Sequence, residues 1–199
     1  MATTDNMCAV QRPLAEFAWT LKVKYGLTLG VTREQFMNQY DAQEVQLSSV
    51  FENIFVAVRG ALGKPVTRVS ADGYDFSNLG DMKTGVLQKD GDSRRFVIKS
   101  VSNKLGTIYF VGWNWITEKP CFFAIPSSSY EQYESKTIKK KVKGKWQTYT
   151  EKVRIPLSET FHPRAGYKIL VHPITGERTG GYYNLRCAYD SFEDMAAQD

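Results

Sequence analysis

The chain has 199 residues, 42% of them hydrophobic and 24% charged, which suits one well-packed domain, excludes a disordered protein and leads to the expectation of no second independent core. It contains no run of about 18 apolar residues and no basic-then-apolar leader, so neither a membrane span nor a secretory route is expected, and a cytoplasmic protein is. The net charge of +5 is local: Lys136, Lys139, Lys140, Lys141, Lys143, Lys145, Lys152 and Arg154 face Glu151 alone, a net of +7, leaving −2 elsewhere. Such concentration is the footprint of a polyanion-binding surface.

The first predicted element is a helix from Pro13 to Tyr25, with Leu14, Phe17, Leu21 and Tyr25 near one face and Gly26 as its stop. Thr32 is a helix N-cap with Gln35 as its capping-box partner. A longer helix covers Gln43 to Leu62, striped by Leu47, Val50, Phe51, Ile54, Phe55, Val58 and Leu62 and ended by Gly63-Lys64-Pro65.

From Val66 the period changes to that of strands. Short strands are expected over Val66–Ser70 and Asp81–Leu87, with a turn at Ala71-Asp72-Gly73. Lys89-Asp90-Gly91-Asp92 signals a hairpin into a strand over Arg95–Val101. Asn103–Gly106 turns into a strand over Thr107–Trp113, and a buried strand lies between Pro120 and Pro126. Ser127–Tyr133 starts a helix. Thr137, Lys139 and Lys141 alternate with Ile138, Lys140 and Val142 in a strand that turns at Gly144 and returns over Trp146–Arg154. Tyr167–Val171 is a further strand, Arg178–Tyr183 a glycine-marked turn or substrate-side loop, and the last ten residues fray.

The simplest account is a single α+β domain over 1–199 with a central mixed sheet: a helical part at 1–42, a core at 43–133, a basic arm at 134–156 and C-terminal strands at 157–199. Cys8, Cys121 and Cys187 are widely spaced packing thiols. His162 and His172 lack partners at ligand spacing, which argues against a zinc finger or a histidine-based metal site.

The chemistry concentrates in Tyr74–Thr84. Asp81 and Lys83 are two residues apart and share a face of a strand, and Asp75 reaches the same surface from the preceding segment. A carboxylate pair holds a hard divalent cation; a neighbouring ammonium orients a water and offsets phosphate charge. Glu52 lies upstream on the long helix, about 60° beyond Phe55, at the margin of its apolar arc.

The order helix carboxylate, Asp75, Asp81-x-Lys83 resembles the PD-(D/E)XK nuclease superfamily, which is restriction-endonuclease-like in fold. That core is a helix, a three-stranded antiparallel sheet, a crossover helix and a further strand. The local text is similar to the MutH branch, whose segment reads Asp-Phe-x-x-Leu-Gly-x-Glu-x-Lys-Thr. Asp75-Phe76, Leu79-Gly80 and Lys83-Thr84 match as they stand, over about 30 residues from Glu52 to Thr84. Two positions depart: one residue fewer separates Gly80 from the second acid, and that acid is Asp81, not glutamate.

The resemblance implies a Mg²⁺-dependent DNA endonuclease of restriction or phage character, with 43–133 as its catalytic core, leaving a 5′-phosphate and a 3′-hydroxyl. Asp75 and Asp81 would be the principal Mg²⁺ ligands, Lys83 would position or deprotonate the attacking water, and Glu52 would support the metal from the helix. The expected partner is double-stranded DNA, nicked by a monomer or cut on both strands by a homodimer, with no membrane involved. Lys139, Lys140, Lys141, Lys143 and Lys145 offer phosphate contacts, and Trp146 and Tyr149 stack or wedge against bases; Lys99 and Lys104 are lesser candidates.

Each piece has a plainer structural meaning as well. Asp75 suits a turn, Asp81-x-Lys83 a solvated strand, Glu52 a helix surface, and the lysines a guarded sheet edge. The rival function is a non-catalytic nucleic-acid-binding protein that uses the arm at 136–154. A third is an assembly protein whose arm meets an acidic partner.

Overall fold

Leu14, Ala15, Ala18 and Leu21 recur at helical spacing, and α1 (Thr4–Lys24) buries all four. The computed structural model describes residues 4–71, 74–90, 93–99, 106–127, 136–151, 154–158, 166–171, 178–183 and 188–199. Expectations on Ser128–Tyr133, His162, His172, Lys104 and Cys187, and on the turns at Asp72-Gly73, Gly91-Asp92 and Asn103–Leu105, fall outside them. Helix α1 begins nine residues before the expected start at Pro13, because a proline removes one intrahelical bond without dissolving the turns that precede it.

Helix α2 (Arg33–Asp41) starts with the expected capping box: Thr32 Oγ1 accepts from Gln35 N and Gln35 Oε1 accepts from Thr32 N. The following helix, α3 (Leu47–Ala61), is shorter than the expected Gln43–Leu62. Gln43 takes a positive φ of 60° and closes α2, so residues 43–46 form the connection. Leu62, at the far cap, is 44% exposed and leaves the stripe.

The central sheet has six strands in the order β1 (Arg68–Ala71), β2 (Tyr74–Phe76), β3 (Gly80–Val86), β6 (Thr107–Asn114), β7 (Lys119–Ile125) and β13 (Ala188–Tyr189). Strands β1, β2 and β3 run antiparallel in turn, β6 lies parallel to β3, and β7 and β13 are antiparallel again. The sheet is therefore mixed.

A parallel β3–β6 pair needs a crossover. Here β4 (Gln88–Asp90) and β5 (Ser93–Lys99) supply it, and no helix occurs among its described residues. The helix that the resemblance implied gives way to local chemistry. Strand β5, paired with β4 from Ser93 opposite Asp90, points Phe96 and Ile98 inward with period two. Strand β5 also pairs with β10 (Arg154–Ser158), completing a second, three-stranded sheet.

Two cores result. Phe51, Phe55, Phe76, Met82, Tyr109 and Phe122 pack with α1, α2, α3 and the C-terminal α4 (Phe192–Ala196) on one face of the central sheet. Phe96 and Ile98 meet Ile108, Phe110 and Phe123 on the other.

Two hairpins stand apart in the pairing scheme, β8 (Lys136–Val142) with β9 (Lys145–Glu151) and β11 (Gly166–Val171) with β12 (Arg178–Tyr183). The last corrects the expected loop at Arg178–Tyr183: Gly180 and Gly181 lie opposite Ile169 and Lys168, whose backbone holds them in a ladder. The expected frayed terminus is corrected too. Ser191 caps α4, whose Phe192, Met195 and Ala196 are buried. Among the described residues no helix is long and apolar enough to cross a membrane.

Candidate active site

Strand alternation places the chemistry. Met82 belongs to the helix-side core, so its neighbours Asp81 and Lys83 project from the opposite face of β3. Phe76, stacked on Phe55, likewise sends Asp75 to that face. Ser77-Asn78-Leu79 forms the connecting turn, with Asn78 at φ 54°, and sets Phe76 opposite Gly80. Continuing that antiparallel register puts Asp75 opposite Asp81.

Gly80 is required there. A Cβ on it would lie 1.8 Å from the carbonyl oxygen of Thr107 on the parallel neighbour β6. Leu79 O in turn accepts from Thr107 N at 2.8 Å, so the backbone just before Asp81 is clamped.

Asp81 is fully buried and its Oδ2 lies 2.6 Å from Lys83 Nζ, whose side chain is 30% exposed. Asp75 Oδ2 accepts a hydrogen bond from Met82 N at 2.8 Å, and its carboxyl is within hydrogen-bonding reach of Asp81. Partial burial, then the hydrogen bond to Asp81, push Asp75 up to about 6; the charges of Asp81 and Glu52 add to this, and the Met82 N–H opposes it.

Glu52 is nearly buried on α3, at 8% exposure, and its Oε2 pairs with Arg68 Nη2 from β1. Arg68 Nη1 also donates to Asn53 Oδ1 at 2.7 Å. The structure therefore brings Asp75, Asp81 and Lys83 together. Glu52 approaches from the helix side, felt by Asp75 as a charge, with Arg68 as its bonded partner. Arg68 had no signal in the sequence, since nothing local distinguishes it from any strand arginine.

Among the described residues no group of three or more His, Cys, Asp or Glu side chains is gathered to hold a metal. Two carboxylates nevertheless fit Mg²⁺, which keeps several waters and takes further oxygens from a phosphate. All donors here are hard oxygens, and two like charges pressed together are relieved by a cation between them.

The basic arm is a hairpin as expected, with Lys139, Lys141, Lys143, Lys145 and Trp146 exposed, but its described return strand ends at Glu151 and Arg154 pairs with Lys99 in β10 instead. Lys140 pairs with Gln147 through the ladder. Elsewhere, a shallow apolar groove of about 640 Å³ between α1 and Trp113 shares no lining residue with the acids. Cys121 is buried, and burial pushes its thiol up to about 11.

Comparison with protein-family models, with curated proteins and with solved structures returns no match. The functional reading therefore rests on the geometry of the site itself.

Proposed function

We propose that the protein is a Mg²⁺-dependent endonuclease hydrolysing phosphodiester bonds in DNA, with a restriction-endonuclease-like core. The observation that carries this is the facing pair Asp75 and Asp81 with Lys83 against Asp81, on one face of adjacent strands. Two carboxylates here are matched by one ammonium, Lys83, and the remaining negative charge is what a divalent cation would offset. The order α3, antiparallel β1-β2-β3 and parallel β6 supports the same reading, with a strand pair where that core has a crossover helix.

Asp75 and Asp81 would hold the ion. When bound, Mg²⁺ neutralises charge on the phosphate and acidifies the attacking water. Lys83, partly exposed, orients that water and offsets developing negative charge. Glu52, steadied by Arg68, supports the site from the helix side. The exposed lysines of β8–β9 neutralise phosphates and draw the polyanion in.

Plasmid incubated with Mg²⁺ should be nicked or linearised, and EDTA should stop it. Lys83→Ala, verified as folded by circular dichroism, should lose at least about a hundredfold in rate, the scale of one transition-state charge contact. Full activity in that variant overturns the proposal. The exposed basic hairpin favours a second reading, a non-catalytic nucleic-acid-binding protein; DNA retention without any Mg²⁺-dependent cutting would select it.

A further inference from the structure

The hairpin β8–β9 carries more than positive charge. Its turn is Lys143-Gly144, both at positive φ (48° and 79°), the two-residue mirror-image type that matches strand twist. Val142 and Lys145 close the turn, so the next pair outward is Lys141 with Trp146. That pair is non-hydrogen-bonded, the kind in which facing side chains come closest.

Alternation then places Lys139, paired with Thr148, on the same face. Lys139, Lys141 and Thr148 are exposed, and Trp146 is 70% exposed, far beyond what a packing role needs. An indole with two lysines on the strand beside it is thus held open to solvent.

An indole face recognises the flat face of a base, and in an intact duplex those faces are covered by neighbouring base pairs. Lysines alone would serve any polyanion; the exposed ring serves unpaired bases. We propose that the Lys139–Lys141–Trp146 face is a platform for single-stranded nucleic acid, with Trp146 stacking on a base and the two lysines on flanking phosphates. Its consequence for cutting rests on the nuclease reading: the preferred substrate carries an unpaired segment such as an overhang, flap or gap. Binding itself does not depend on that reading.

The test uses the full chain in EDTA, so that no cutting occurs, with a labelled oligothymidylate and a blunt duplex of equal length followed by fluorescence anisotropy. The single strand should bind more tightly and quench tryptophan fluorescence. Trp146→Ala should weaken single-strand binding by about tenfold to a hundredfold while leaving duplex binding within about twofold, and Trp146→Phe should retain most of the affinity. Replacing Lys139 and Lys141 with glutamine should reduce the slope of log affinity against log salt by about 1.4 on the single strand.

Unchanged oligothymidylate binding in Trp146→Ala overturns the proposal, as does an equal loss on the duplex. Competition by polyglutamate as effective as by oligothymidylate overturns it as well, marking a general polyanion surface. A failed nuclease reading would show separately, as absence of Mg²⁺-dependent cutting on every substrate with these binding results intact.

Discussion

Asp75 holds its proton more tightly folded, near 6, than the ordinary 3.8 of an unfolded chain. Between those values the folded state carries the extra proton, so stability falls as pH rises from about 4 to about 6 and stays reduced above that. For a half-buried group screened by solvent the loss is about 1–2 kcal/mol. Urea unfolding in EDTA at pH 4 and pH 7 measures most of it. Asp75→Asn keeps an oxygen for the Met82 N–H and removes the charge. That variant should flatten the pH slope, gain stability at pH 7 and lose cleavage; a purely structural Asp75 would lose stability instead. The pairing of Asp81 with Lys83 was legible because period two fixes which residues share a face. The salt bridge of Glu52 with Arg68 was not, since their proximity comes from α3 packing on β1, not from chain spacing.

At the scale of elements, the tight junction between β3 and β6 decides whether the acids meet. Gly80→Ala drives a methyl into the Thr107 backbone, where no side chain can swing aside. It should cost about 2–3 kcal/mol or more and displace Asp81, visible as a lowered Tm together with lost cutting. The Leu79-Gly80 text was readable as a motif, but its cause is this close approach of a strand more than twenty residues away. Helix α4 is secured in a comparable way. Arg59, buried on α3, donates to Ala196 O at 2.9 Å and Gln198 O at 2.7 Å and pairs with Asp199 Oδ1 at 2.9 Å. Arg59→Met leaves carbonyls without their donor and should destabilise by about 3 kcal/mol in denaturant titrations, with faster amide exchange in α4. A lone arginine one position past Val58, beside the buried arc of α3, was the available signal; its partners lie at the other end of the chain.

For the whole molecule, two cores back one sheet, helical on one face and stranded on the other, and the acids sit on the stranded face beside the second core. A cation that binds only the folded arrangement must then stabilise everything cooperatively. Mg²⁺ at about a hundred times its Kd should add about 2.7 kcal/mol to unfolding, and the increment should vanish in Asp81→Asn. Thermal scans with and without EDTA check this. The sequence by itself determined the local elements: the capping box at Thr32 and Gln35, the period of α3, the turn at Gly144, and the shared face of Asp81 and Lys83. These depend on interactions within a few residues. Only the tertiary structure decided that Asp75 faces Asp81 across a three-residue turn, that β6 runs parallel to β3 over a hairpin crossover, and that Glu52 answers to Arg68. Each of those is a contact between segments whose separation in the chain carries no information about their distance in space.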